Sequence, residues 1–521
     1  MLRLPPLEDT AVTRALVLVF ALVLLAHLPL LLARAGAADT RWRHLIPASR
    51  GDDGAYQILA INMLHGEGYS SLAVLPAETY RVDVPLADQR AVTDRSLQFR
   101  RSPGLSLMLA SVYAVAGTET IVAQRMMATL AWLTGVALLI AGAAIGGWVG
   151  ALAGGLTAVY HLHLSPVTYG FDRLLSENPT AFWIAAFAAA FAVFLNCRSR
   201  RTAIIAGLCL AAIGLMRVNF LPAIPLLIGY LPVARVPRRL SVWFTAAALA
   251  PVLAWCVYAS VSTGRVVIIS QAGARLFANT NNLDTLEGIG PDRWNQGGWN
   301  PGFVAAPGGE WRMDLHNVPA PGESGWNKGM AFWTQNLVRL PQLFFVEWRA
   351  GLWYSNGMKE NILRPERFTL AGIGFLAIAA GFLPFRKRWP WVPRGTPNRV
   401  LGMQLGVVTV LLAAGNQHGM LLVIALWLTL FVLSLLRLGE STPVPFQNPV
   451  WLLAFVASHA LTTTLFYGIR FQLPIDSVLI LVAIYGILFA AYELARRSTV
   501  QALAFLAIVL LAAIARPLAN R

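Results

Sequence analysis

Residues 121–145 read Ile-Val-Ala-Gln-Arg-Met-Met-Ala-Thr-Leu-Ala-Trp-Leu-Thr-Gly-Val-Ala-Leu-Leu-Ile-Ala-Gly-Ala-Ala-Ile, and a second apolar run follows at 148–168. Only Gly146-Gly147, ahead of Trp148, separates the two. A helix needs about 20 apolar residues to cross a bilayer, so each run is long enough. The runs are continuous rather than alternating, which excludes a membrane β-barrel. They read as two consecutive transmembrane helices.

The rest of the chain repeats this pattern. Of 521 residues, 57% are hydrophobic and 13% charged. A soluble protein of this size could not cover its surface with so few polar side chains. The fold class is therefore an all-α polytopic membrane protein. The apolar run Ala15–Ala33 follows Arg3 and Arg14. It is longer than a signal-peptide core of roughly 7–15 residues, so it reads as an uncleaved first span with its amino end in the cytoplasm. Further spans fall at 179–196, 202–216, 220–234 and 241–262, then near 368–385, 399–414, 419–437, 449–468, 473–494 and 500–516. Residues 103–117 are apolar but short, about 22 Å as helix, and read as a partly inserted or surface helix. The total is about thirteen spans.

The formal net charge is +16. The arginines sit mostly in short loops, where the positive-inside rule accounts for them without a nucleic-acid partner. With about thirteen spans, Arg198–Arg201, Arg235–Arg239, Arg386–Arg388, Arg437 and Arg496-Arg497 share the cytoplasmic side. Two long polar regions then face outward. The chain divides into a membrane module, 1–262, with a first external loop at 37–103; an external region, 263–366; and a second membrane module, 367–521. Cys197, Cys209 and Cys256 lie in or beside spans, with no metal-ligand spacing and no disulfide framework.

The first external loop carries Gly-Asp-Asp-Gly-Ala-Tyr-Gln-Ile-Leu-Ala-Ile-Asn-Met-Leu-His-Gly-Glu-Gly-Tyr at 51–69. Tyr56, Leu59, Ala60, Met63 and Leu64 give one apolar helical face, and Gly66 and Gly68 stop the helix. Asp52 or Asp53 can cap this helix, or serve as a carboxylate held at the membrane surface. Under the topology above, Asp52-Asp53, Asp172 with Glu177, Arg217 and Arg470 converge on the outer face. Carboxylates beside arginines there suit a reaction on a phosphate-bearing lipid: arginine matches phosphate with paired donors, and a carboxylate can take a proton from a hydroxyl.

The external region has Trp326, Trp333, Trp348 and Trp353 along an amphipathic pattern, 327–354, broken near Pro341. This reads first as an interfacial aromatic belt and second as a platform for sugar or acceptor. His161 and His163 face opposite sides of the third span and read as packing or polar-contact residues. No metal site and no cofactor are expected. The Asp52-Asp53 pair alone is weak evidence for a divalent cation.

Several motifs recur in a known order. Asp-x-x-x-Tyr-x-x-Leu-Ala-x-Asn-x-Leu-x-Gly-x-Gly-Tyr runs from Asp52 to Tyr69, Arg-Ser-Pro-Gly lies at 101–104, and Leu-Ser-Glu at 175–177. Met-Arg follows at 216–217, and Arg470-Phe471-Gln472-Leu473-Pro474 leads into a late span. Together they resemble the GT-C integral-membrane glycosyltransferases, in the bacterial branch with protein O-mannosyltransferases and lipid A aminoarabinose transferases. The resemblance implies transfer of a sugar from a polyprenyl-phosphate donor to a lipid, glycan or protein acceptor outside the cytoplasm, in a bacterial inner membrane. It implies Asp52 as the base, with inversion at the sugar carbon and Asp53 as a second acidic residue. Arg470, then Arg217, then Arg101 would hold the donor phosphate. Glu177, with Asp172 and Tyr56, would position sugar or acceptor. Two departures stand out: no proline follows Arg217, and Asp476 sits where the family is usually apolar. Two alternatives are an O-antigen polymerase or ligase, which relies on an arginine-rich external loop, and a secondary transporter. A transporter would place its ionisable residues at mid-membrane rather than at span ends, as here.

Overall fold

The computed structural model describes residues 9–37, 52–69, 99, 101–164, 174, 176–264, 266–270, 277, 281, 303–305, 311–313, 325–343, 473–495 and short pieces of 499–507. The spans expected at 368–385, 399–414, 419–437 and 449–468 lie outside these residues, as does most of 500–516. Within them the protein is mostly helical, and four helices are long and apolar enough to cross a membrane.

Helix α1 spans Thr10–Ala37, α2 Asp52–Leu64, α3 Pro103–Ala116 and α4 Thr120–Leu164. Helix α5 spans Glu177–Cys197, α6 Arg200–Met216, α7 Ala223–Val233 and α8 Arg238–Thr263. Helices α9, Gly325–Gln335, and α10, Asp476–Ala495, follow. One short antiparallel pair, β1 Phe303–Ala305 with β2 Trp311–Met313, lies in the external region of this mostly helical chain. A three-residue register is too short to leave a sequence signature.

Helix α4 is two helices joined at the glycine pair. Gly147 adopts φ 57, ψ −137, a backbone that an L side chain would strain, and Gly146 is also non-helical. The two arms press together so closely that a Cβ on Gly142 would overlap the Gly150 carbonyl, and a Cβ on Gly154 would sit 2.6 Å from the Leu138 carbonyl. Small residues let membrane helices approach to backbone contact. Helix α1 lies along this hairpin, with the Trp132 indole N–H donating to the Leu24 carbonyl at 2.8 Å.

Contacts orient every long helix. Asn196, at the end of α5, donates to the Ala144 carbonyl at 2.6 Å, beside the hairpin turn. Arg198 reaches the Ala234 and Arg235 carbonyls. Tyr492, late in α10, packs edge-on to Trp148. The turn at 146–147, Arg198–Arg201, Arg235–Arg239 and the end of α10 therefore share one end of the bundle. At the other end stand Leu164, Glu177, Arg217 and the start of α10. This is the parity expected from the sequence for these elements.

Three expectations are adjusted. Helix α2 is buried on nearly all sides: Gln57, Ile58, Ile61 and Asn62 are as buried as Tyr56 and Leu59, whereas Leu64 is 39% exposed. The chain folds around it, so it has no single apolar face. The sixth span is short, a 3-10 turn at Val218–Phe220 followed by α7. The amphipathic element of the external region ends as helix at Gln335. A 3-10 turn at Leu337–Arg339 follows, so its break precedes Pro341.

Candidate functional site

Glu177 opens α5 and Arg217 follows the last residue of α6, so two adjacent helices deliver opposite charges to the same end of the bundle. Each position suits its charge. A helix N-terminus favours a carboxylate, and a C-terminus favours a cation. The Arg217 Nη2 lies 2.8 Å from Glu177 Oε1, with side chains only 10% and 7% exposed. The Arg217 Nε–H donates to Ser176 Oγ at 3.0 Å. The backbone at Arg217 is extended, φ −148, ψ 119, which turns the chain out of α6 and aims the guanidinium across at α5. A charge pair this buried is held because neither partner tolerates isolation there.

Asn178 follows Glu177 in the chain, and its side chain links two helices. The Asn178 amide donates to the Met127 carbonyl at 2.8 Å, tying α5 to the first arm of α4. One turn earlier, Gln124 is fully buried, and neither end of its amide meets a hydrogen-bond partner among the described residues.

The 51–69 cassette joins this end through two links. First, a Cβ on Gly104 would lie 2.8 Å from Met216 Cα, so the start of α3 rests on the residue before Arg217. Second, the Tyr69 hydroxyl lies 3.1 Å from the Arg101 carbonyl and 3.2 Å from that of Ser102, and its single proton is shared between them. Tyr69 is only 2% exposed and packs on Phe99 and Trp255. Burial pushes its phenol well above the usual range, and the Arg101 charge pulls less strongly the other way. The phenol therefore acts as a neutral hydrogen-bond donor. Positive φ at Gly66 and Gly68 lets the chain leave α2 and reach this point.

Asp52 and Asp53 are the first two residues of α2. Tyr56, expected to position a ligand, is buried in a cluster with Leu105, Leu109 and Tyr113. Arg101 is half-buried at the bend before α3. Arg470 and Asp172 lie outside the described residues. The chain returns at Leu473–Ile475, packed against α5, and Ser477 Oγ lies 2.7 Å from His161 Nδ1. The two histidines do part company: His161 is buried, and His163 meets His27 at 2.7 Å. Among the described residues no group of three or more potential metal ligands assembles.

The structure thus brings together Glu177 and Arg217, to which the resemblance assigns separate roles. Ser176 and Gln124 were not singled out as site residues. Ser176 is the middle residue of the Leu-Ser-Glu motif at 175–177, which is its signal in the sequence. A lone glutamine inside an apolar span was the only trace of Gln124. Comparison with protein-family models, curated proteins and solved structures finds no match to this chain.

Proposed function

We propose that the protein transfers a sugar from a polyprenyl-phosphate donor to an acceptor hydroxyl at the outer face of a bacterial inner membrane. The observation that carries this reading is the buried Glu177–Arg217–Ser176 cluster, at the same end of the bundle as Arg101 and Tyr69. That end is opposite the arginine-rich loops, and the positive-inside tendency assigns it to the exterior.

In this reading the acceptor oxygen attacks the anomeric carbon. Its proton passes to the Asp52 carboxylate, a carbon–oxygen bond forms with inversion, and the bond to the phosphate oxygen breaks. Charge then grows on the departing polyprenyl phosphate, where fixed guanidinium groups stabilise it. Arg470 and Arg101 are assigned to that phosphate, and Asp53 to the support of Asp52. The Arg217 charge is already compensated by Glu177. Its part is to hold the 176–177 turn against the end of α6, beside the sugar or acceptor. Asp172 and Tyr56 complete the positioning set.

The test uses the purified chain in lipid vesicles with polyprenyl-phosphate-linked hexose and pentose donors, and reads release of polyprenyl phosphate. Release by the native chain and its loss in Asp52→Asn are expected. Turnover in Asp52→Asn equal to the native rate would remove the assigned base, and no release from any donor would remove the activity.

A further inference from the structure

The opposite end of the bundle carries a feature that the proposed activity does not use. Arg198, Arg200, Arg201, Arg235, Arg238 and Arg239 are gathered there by two short turns, and all are exposed. No Asp or Glu occurs in the chain between Glu177 and Asp284. Among the described residues no carboxylate pairs with any of the six.

Two of the six are already engaged. Arg198 donates to the Ala234 and Arg235 carbonyls, which locks the two turns together. Arg200 lies over the Trp243 ring, 3.7 Å from its centroid, pinning α6 to α8. Arg201, Arg235, Arg238 and Arg239 remain as a cluster of like charges with its geometry fixed from both sides. Helices α6 and α8 run parallel: Arg200 meets Trp243, Gly207 meets Phe244 and Ala248, and Gly214 meets Val252. Their positive ends lie side by side, and neither first turn holds an acidic residue. Self-repulsion among these groups calls for an anion.

The surface below the cluster says what kind of anion. Ile205 and Leu208 follow Arg201 along one stripe of α6 and are 53% and 47% exposed. Val242 follows Arg238 along α8 and is 58% exposed. Guanidinium groups stand above apolar, membrane-facing side chains on both helices. A free phosphate would use only the upper half of this surface, whereas a phospholipid would use both.

We propose that this face binds the phosphate headgroup of an anionic phospholipid between Arg201 and Arg238-Arg239, with the acyl chains lying along Ile205, Leu208 and Val242. Paired guanidinium donors match a phosphodiester. The site is independent of the transfer reaction at the other end.

Native mass spectrometry of the full-length chain tests this, with phosphatidylglycerol and phosphatidylcholine of equal acyl length as probes. The native chain is expected to retain phosphatidylglycerol in preference, with retention falling as salt rises. Each arginine removed is expected to weaken that retention about fivefold, so R201A/R238A/R239A loses about a hundredfold. Should that variant not fold, R238A/R239A is measured, with an expected loss of about 25-fold. Equal retention of the two lipids would overturn the proposal. So would unchanged retention in whichever variant folds, an equal loss in R386A/K387A/R388A, or displacement of phosphatidylglycerol by an equal concentration of inorganic phosphate.

Discussion

Arg198 and Arg217 each follow the last residue of a helix, yet they are satisfied in different ways. Arg217 is nearly buried and pairs with a carboxylate and a hydroxyl from the start of α5. Arg198 is exposed at the end of that same helix and donates to two backbone carbonyls. Both positions gain from the negative end of a helix dipole. The difference lies in burial. A guanidinium withdrawn from water needs an opposite charge, whereas one at the surface needs only acceptors. Among the described residues the bundle is accordingly asymmetric: a charge pair at one end, arginines without a carboxylate partner at the other. Chemistry that depends on fixed, desolvated charge belongs at the first end.

The strongest way to break this contrast is Asp52→Asn. If Asp52 is the base of the proposed transfer, its loss is expected to lower that transfer by about 10²–10⁴-fold, whereas Arg198→Ala at the opposite end leaves turnover unchanged. A vesicle assay of polyprenyl-phosphate release measures both. Next is stability. Arg217→Ala should cost about 3–5 kcal/mol in detergent unfolding, because it strands the Glu177 carboxylate. Replacing the pair with E177L/R217M sharpens the point: most of that loss should return while transfer does not. If the double variant is as unstable as the single one, packing rather than charge accounts for the loss.

Gly142→Leu probes the scaffold that both ends share. The added side chain meets the Gly150 carbonyl and should cost about 1–3 kcal/mol, read by the same unfolding measurement. Arg198→Ala is the smallest effect. One of its two carbonyl hydrogen bonds is exposed and the other partly buried, and their loss should stay within about 1.5 kcal/mol. A larger cost would show that Arg198 organises the arginine turns more rigidly than its exposure implies.

Much of the bundle was legible in the sequence. Length and hydropathy mark α1, both arms of α4, α5 and α8. The end of α3 is marked by Gly117 and that of α2 by Gly66, both with positive φ. Legibility falls where the signal is not local. Helix α2 presents an apolar spacing in sequence, but its surroundings bury Gln57 and Asn62 as well. The β1–β2 pair and the shortness of α7 depend on packing that no periodicity records.

For the site the division is similar. Charge type and position along the chain select Glu177 and Arg217 as residues at helix ends on one face. Their mutual contact follows from the packing of α5 on α6 and the extended backbone at Arg217, and neither is written in the spacing.

Sequence alone determined that this chain is mostly helical, with apolar helices long enough to cross a membrane and with Arg198–Arg201 and Arg235–Arg239 in short turns, because hydropathy and charge act residue by residue. Tertiary structure decided which charges meet and which stay apart. Helix approach, set by glycines such as Gly104 and Gly142, fixes distances between residues far apart in the chain.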